Sequence, residues 1–203
     1  MADMEKTKIA DNGDKCLDKG KLAADNSGMP PRNGDRTVEE VRELCAPMYN
    51  RRAKPGEAPR GDIRTIQPEF IEYSDEGVLT VKVPLQEWQV NDFNTIQGGL
   101  LAYMIDTVVG PLGFIVSGCD SIGTVDLSTT YLRPVTLDDE YVIIKAQVKA
   151  SGKRIMHAKA ELYTPNGKLA VSAVTNILKS KPRGQGTDIW EDIKRQLEEQ
   201  EKW

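Results

Sequence analysis

The chain has 203 residues, 39% of them hydrophobic and 29% charged, with a formal net charge of −4. That size holds one ordinary domain with a sizeable core, or a smaller domain with tails. The acidic balance argues against a nucleic-acid binder, which carries a basic excess or stripe, and no apolar run is both long and clean enough for a membrane span.

Residues 1 to about 36 are polar and read as a disordered or loosely attached extension. They lack the apolar block of a signal peptide and do not look like a transit peptide. TVEEVRELCAPMYN, 37–50, places Val38, Val41, Leu44 and Cys45 at helical spacing, with Thr37 and Glu40 as a capping box and Pro47 as the expected stop. RRAKPGEAPRGD, 51–62, reads as a linker. From 63 the pattern changes. IRTIQPEFIEY and VLTVKVPL look like two strands around the turn SDEG. Asn91 to Val116 reads as a loop followed by a mostly buried helix. Its stretch Leu100–Val116 comes nearest to a membrane span, but Asp106, Gly110, Pro111 and Gly113 interrupt it.

TVDLSTTYLRP, 124–134, alternates as a strand. YVIIKAQVKA, KRIMHAKAELYT and KLAVSAVTNILKS follow as three more, the last two joined by the hairpin turn PNGK at 165–168. In the middle one, Met156, Ala158, Ala160 and Leu162 face the core, while Ile155, His157, Lys159 and Glu161 face away. Two strands, a long apolar helix and four strands with short turns predict an α+β domain over 63–180, an antiparallel sheet wrapped around one central helix. The remainder, 181–203, reads as an amphipathic helix, with Asp188 and Glu191 as a capping box and Ile189, Ile193 and Leu197 as its apolar stripe.

Three cysteines, Cys16, Cys45 and Cys119, are odd in number and widely spaced, so neither a disulfide framework nor a zinc pattern is expected. The expected compartment is reducing and cytoplasmic. His157 is the single histidine. No His-rich metal site follows, and no Ser-His-Asp triad; GCDSIG at 118–123 misses the spacing of a nucleophile elbow. His157 itself shares a strand face with Lys159 and Glu161 and reads as a surface or interface residue.

QGGLLAYMID, 97–106, carries the chemistry. Gly98 and Gly99 open the apolar helix, where a ligand can approach the backbone closely. The first N–H groups of a helix are unpaired and sit at its positive end, which suits a carbonyl oxygen turning into an oxyanion. Asp106 is a lone carboxylate in an apolar run, and a buried charge is costly unless something needs it. It lies eight residues past Gly98, about 12 Å along the axis. Within one chain the two cannot serve one small reacting group. If both act on one substrate, a second copy must bring its helix alongside, antiparallel, and the protein is at least a dimer.

The pattern Asn91-x5-Gln97-Gly98-Gly99-x6-Asp106 resembles the hotdog-fold acyl-CoA thioesterases of the phenylacetyl-CoA and long-chain acyl-CoA type, in which Asn is followed six residues on by His-Gly-Gly, and Asp or Glu stands nine after the His. TVDLSTTYLRP is similar to that family's strand after the helix, and SGKR at 151–154 to its Gly-basic turn. The resemblance covers about 63–180 and implies a hotdog fold. It implies that Gly98 donates its N–H to the thioester carbonyl, with Gly99 beside it. Asn91 would fix the loop or contact the thioester. Asp106 would act on the substrate bound to the other subunit, and Thr124 would help hold a water. Lys153 and Arg154 would meet the nucleotide end of coenzyme A, with Arg133 as a lesser candidate. Gln97 departs from the pattern: it stands where His is usual and cannot be protonated near neutral pH.

The implied function is acyl-CoA thioester hydrolysis by a homodimer or dimer of dimers. The coenzyme A thioester is the substrate, and no metal or separate cofactor is needed. The alternative is a hotdog acyl-CoA-binding protein without useful catalysis. A dehydratase of the same fold would need a catalytic His that is not found.

Overall fold

The computed structural model describes residues 36–52, 63–119 and 121–180, with the single position 195. Cys16, the linker at 53–62 and the capping box expected at 188–191 lie outside the described residues.

The first helix, α1 (Val38–Tyr49), starts on the expected capping box: Thr37 Oγ1 accepts from the Glu40 N–H at 3.3 Å, and Glu40 Oε2 accepts from the Thr37 N–H at 2.7 Å. Pro47 does not end it. The helix runs on to Tyr49 and closes with the Asn50 N–H on the Ala46 carbonyl at 3.0 Å. Proline's fixed φ suits a helix, and what it removes is one donor. That donor would have served the carbonyl of Glu43, an exposed residue that water can reach. Val41, Cys45, Met48 and Tyr49 enter the same core as the later helix and strands.

The segment 63–66, expected as strand, is instead one helical turn, α2 (Ile63–Ile66). Ile63 and Ile66 are three apart and both buried, which is helical rather than alternating spacing. Gln67, at φ 49°, and Pro68 then break the chain before β1 (Glu69–Tyr73). The turn SDEG leads into β2 (Val78–Pro84), with Gly77 at φ 74°, a left-handed position that glycine takes at little cost.

The long helix α3 spans Gly98–Ser117, and β3 (Ser121–Tyr131), β4 (Tyr141–Ser151), β5 (Ile155–Tyr163) and β6 (Leu169–Ser180) follow. All pairings are antiparallel, in the order β1-β2-β4-β5-β6-β3. On β5 the expected alternation holds: Met156, Ala158, Ala160 and Leu162 are buried, and His157 and Lys159 are exposed. By length and composition α3 could cross a membrane, with mean hydropathy 1.7. Here it is the core helix: Leu101, Met104, Ile105, Val108, Leu112 and Ile115 are all buried. It also packs close to the sheet. A Cβ at Gly113 would stand 3.0 Å from Ile177 Cδ1 and 3.1 Å from Met156 Cε, tighter than real contacts normally are. An antiparallel sheet around one central helix is the hotdog fold.

Candidate active site

The loop before α3 is held by its own polar groups. Asn91 Oδ1 accepts from the Phe93 N–H at 2.9 Å, the Thr95 N–H at 3.2 Å and Thr95 Oγ1 at 3.1 Å. Its main chain closes the same turn with Thr95 and Asn94, and Asn94 takes φ 58°. Of the two roles implied for Asn91, the geometry displays the loop-fixing one. Gln89, fully buried, sits under this loop. Its side-chain oxygen accepts from the Gln86 N–H at 2.9 Å, and its carbonyl accepts from the Gln97 N–H at 2.8 Å. The Gln89 Nε2 is buried with no partner, a costly donor that sequence reasoning did not single out.

Gln97 is the N-cap residue of α3. Its side chain is exposed and makes no capping bond. Its carbonyl accepts from the Leu100 and Leu101 N–H groups at 2.8 and 3.1 Å. Among the described residues, the Gly98 and Gly99 N–H groups meet no acceptor. Gly98 lines an open cleft of about 320 Å³, with Asn91, Thr95, Leu101, Tyr131 and Arg133 among its other walls. Tyr131 carries no signal in the sequence beyond its place in a strand. In the structure its hydroxyl donates to the Gly98 carbonyl at 2.8 Å. Arg133 donates through Nη1 to the Leu169 carbonyl.

Asp106 belongs to a different place. It is half-buried on α3, and Thr124 Oγ1 donates to its Oδ1 at 2.8 Å. A register shift between Thr124 and Asp126 forms a bulge there and leaves Val125 exposed. Asp106 is absent from the walls of the Gly98 cleft. The two poles of the site are therefore separate within one chain, as the helix rise requires. The turn with Lys153 and Arg154, both exposed, lies at the Asp106 pole: Ile155 pairs with Leu178, and Leu178 with Gly123 beside Thr124. Gly152 makes this turn possible, because a Cβ there would fall 2.9 Å from the Ile155 carbonyl oxygen. His157 is on the outer face, paired with Asn176, whose Nδ2 donates to Asp126 Oδ2 at 2.6 Å.

Helix and sheet define the class as hotdog domains. Residues 93–171 match the family model of the thioesterase superfamily. A candidate esterase from Thermoplasma acidophilum is 27% identical over 109 residues, which make up 54% of this chain and 80% of that protein. A phenylacetic acid degradation-related protein from Ralstonia eutropha superposes with a TM-score of 0.52 at 25% identity, covering 61% of this chain and 94% of that one. The PaaI protein from the phenylacetic acid degradation operon of E. coli gives 0.51 at 18% identity, covering 58% and 82%, a likeness of fold. These relationships support thioesterase activity in general.

Proposed function

We propose that this protein is an acyl-CoA thioesterase whose active site is shared between two chains. The observation that carries the reading is the arrangement of two half-sites. Unpaired N–H groups stand at the start of α3, and a hydrogen-bonded Asp106–Thr124 pair stands two turns along. Neither half suffices. The edge strand supplies a way to join them. β3 ends the sheet, and it contacts the Gly98 pole at Tyr131 and the Asp106 pole at Thr124. Two such strands laid antiparallel about a two-fold axis between Leu127 and Ser128 bring each Thr124 opposite the other chain's Tyr131. A two-fold interface of this kind makes two equal sites.

In each, the thioester carbonyl lies against the Gly98 N–H, with Gly99 next to it, and the helix end stabilises the oxyanion. Thr124 donates its hydroxyl hydrogen bond to Asp106, so its oxygen is left to accept a hydrogen bond from water. On the water route, Asp106 of the partner subunit takes the proton as the hydroxide bonds to the carbonyl carbon. The C–S bond then breaks and the sulfur leaves as thiolate, which is protonated as free coenzyme A. On the nucleophilic route the carboxylate attacks first and expels the thiolate as the C–S bond breaks, and water then hydrolyses the mixed anhydride. Neither route draws a proton from Gln97, whose part is played by its main chain. The cations Lys153 and Arg154 of the partner subunit arrive with its Asp106 and suit the nucleotide phosphates, facing Arg133.

Free-thiol release across a panel of acyl-CoAs tests this. The parent protein releases thiol, and Asp106→Asn, which keeps shape and loses the base, is slower by about 10²–10⁴-fold. Equal rates would sink the mechanism. Tight acyl-CoA binding by the parent with no thiol release would instead make it a binding protein.

A further inference from the structure

The Tyr131 hydroxyl is spent on one acceptor, the Gly98 carbonyl, 2.8 Å away. That carbonyl belongs to the peptide whose N–H is Gly99, one of the two free donors at the helix start. The ring lies against the same residue: an ideal Cβ on Gly98 would stand 3.4 Å from Tyr131 Cζ. A carbonyl oxygen has two lone pairs. In a helix one serves the N–H four residues on, so a second donor here is an addition rather than a replacement. Hydrogen bonds in series polarise one another. A donor on the carbonyl end of a peptide makes its N–H end a stronger donor. The bond also helps fix the plane of that peptide.

We propose that Tyr131 is a positioning residue of the oxyanion-binding end, which orients and polarises the Gly98–Gly99 peptide so that the Gly99 N–H joins the Gly98 N–H as a donor to the thioester oxygen. The inference rests on the thioesterase reading above and goes past it, since that reading needs only the bare helix start. Tyr131 acts through the peptide, so its effect falls on the transition state, where the oxygen carries charge, more than on the bound thioester.

Tyr131→Phe keeps the ring and removes only the hydroxyl. The expected result is a kcat lower by about tenfold, the worth of one neutral hydrogen bond, with KM within about twofold of the parent. A second readout is the carbonyl stretch of a bound thioester. The probe is the acyl-CoA with the highest kcat/KM in the panel, labelled with 13C at the carbonyl and bound to Asp106→Asn. Its infrared band should move to higher frequency when Tyr131→Phe is added. Parent-like kcat in a Tyr131→Phe protein that melts like the parent overturns the proposal, as does an unmoved band. So does a rise in KM alone, which would make Tyr131 only a cleft wall. If Tyr131→Phe melts earlier, the infrared band decides. A parent protein that turns over no acyl-CoA would instead overturn the thioesterase reading.

Discussion

At the scale of single residues, the loop that presents Gly98 is built from amide groups, and each does a separable job. Asn91 gives one oxygen to three donors, and none of these bonds uses its amide nitrogen. Asn91→Asp retains the acceptor and loses the Nδ2 donor. Asn91→Ala loses both. If the residue only fixes the loop, Asp at 91 keeps most of the activity, whereas Ala loses it and lowers stability by about 1–3 kcal/mol. Equal loss in both variants would show that the amide nitrogen contacts substrate. Steady-state kinetics and urea unfolding of the pair separate the two cases. Gln97 is exposed and caps nothing with its side chain, so a residue lacking an imidazole is accommodated there without strain. Asp106 stands at a recognisable spacing from Gly98, whereas Thr124 was implied only by the family resemblance, as a holder of water, and its bond to Asp106 is legible only in the structure. Tyr131 and Gln89 were not legible. Each earns its place through one contact with a residue eight to thirty-three positions away, and no local pattern encodes that.

At the scale of elements, α1 is a splint for α3. Pro111 removes a donor from the middle of α3. Near that point the Tyr49 hydroxyl donates to the Val108 carbonyl at 2.6 Å. Tyr49 is fully buried, and burial holds its hydroxyl protonated well above the ordinary tyrosine range. Tyr49→Phe conserves the ring and removes the hydroxyl bond to the Val108 carbonyl. It should cost about 1–3 kcal/mol, read as a lower urea midpoint at an unchanged slope. An unchanged midpoint would mean that the helix recovers its own hydrogen bonds around Pro111. The long apolar helix and the paired strands could be read in advance because their periodicities run for many residues. The failures were short-range. Two isoleucines three apart at 63 and 66 mimic a strand when only four residues are in view. Proline at 47 looks like a stop, but near a helix C-terminus with an exposed carbonyl behind it, it costs little.

At the scale of the whole molecule, the separation of the two poles makes a prediction that one chain alone cannot satisfy. Gly98 and Asp106 are fixed on one rigid helix, about 12 Å apart, so no local motion joins them. On the proposed mechanism, each copy lends its carboxylate and borrows a helix start. Two inactive variants should therefore repair each other. Asp106→Asn keeps the Gly98 end intact. Gly98→Val keeps the carboxylate and fills the cleft beside Tyr131, where even a single Cβ already stands 3.4 Å from the ring. A mixed dimer of the two has one site with both defects and one site with neither. Random reassortment of an equal mixture makes half the dimers mixed, so about a quarter of the parent rate should return. The measurement is thiol release from the mixture after unfolding and refolding together, beside each variant refolded alone. Recovery requires that sites span the interface and that Asp106 and Gly98 act in the same turnover. A mixture no faster than its components would place both groups in the service of one chain, and the pairing of β3 edges would lose its functional purpose.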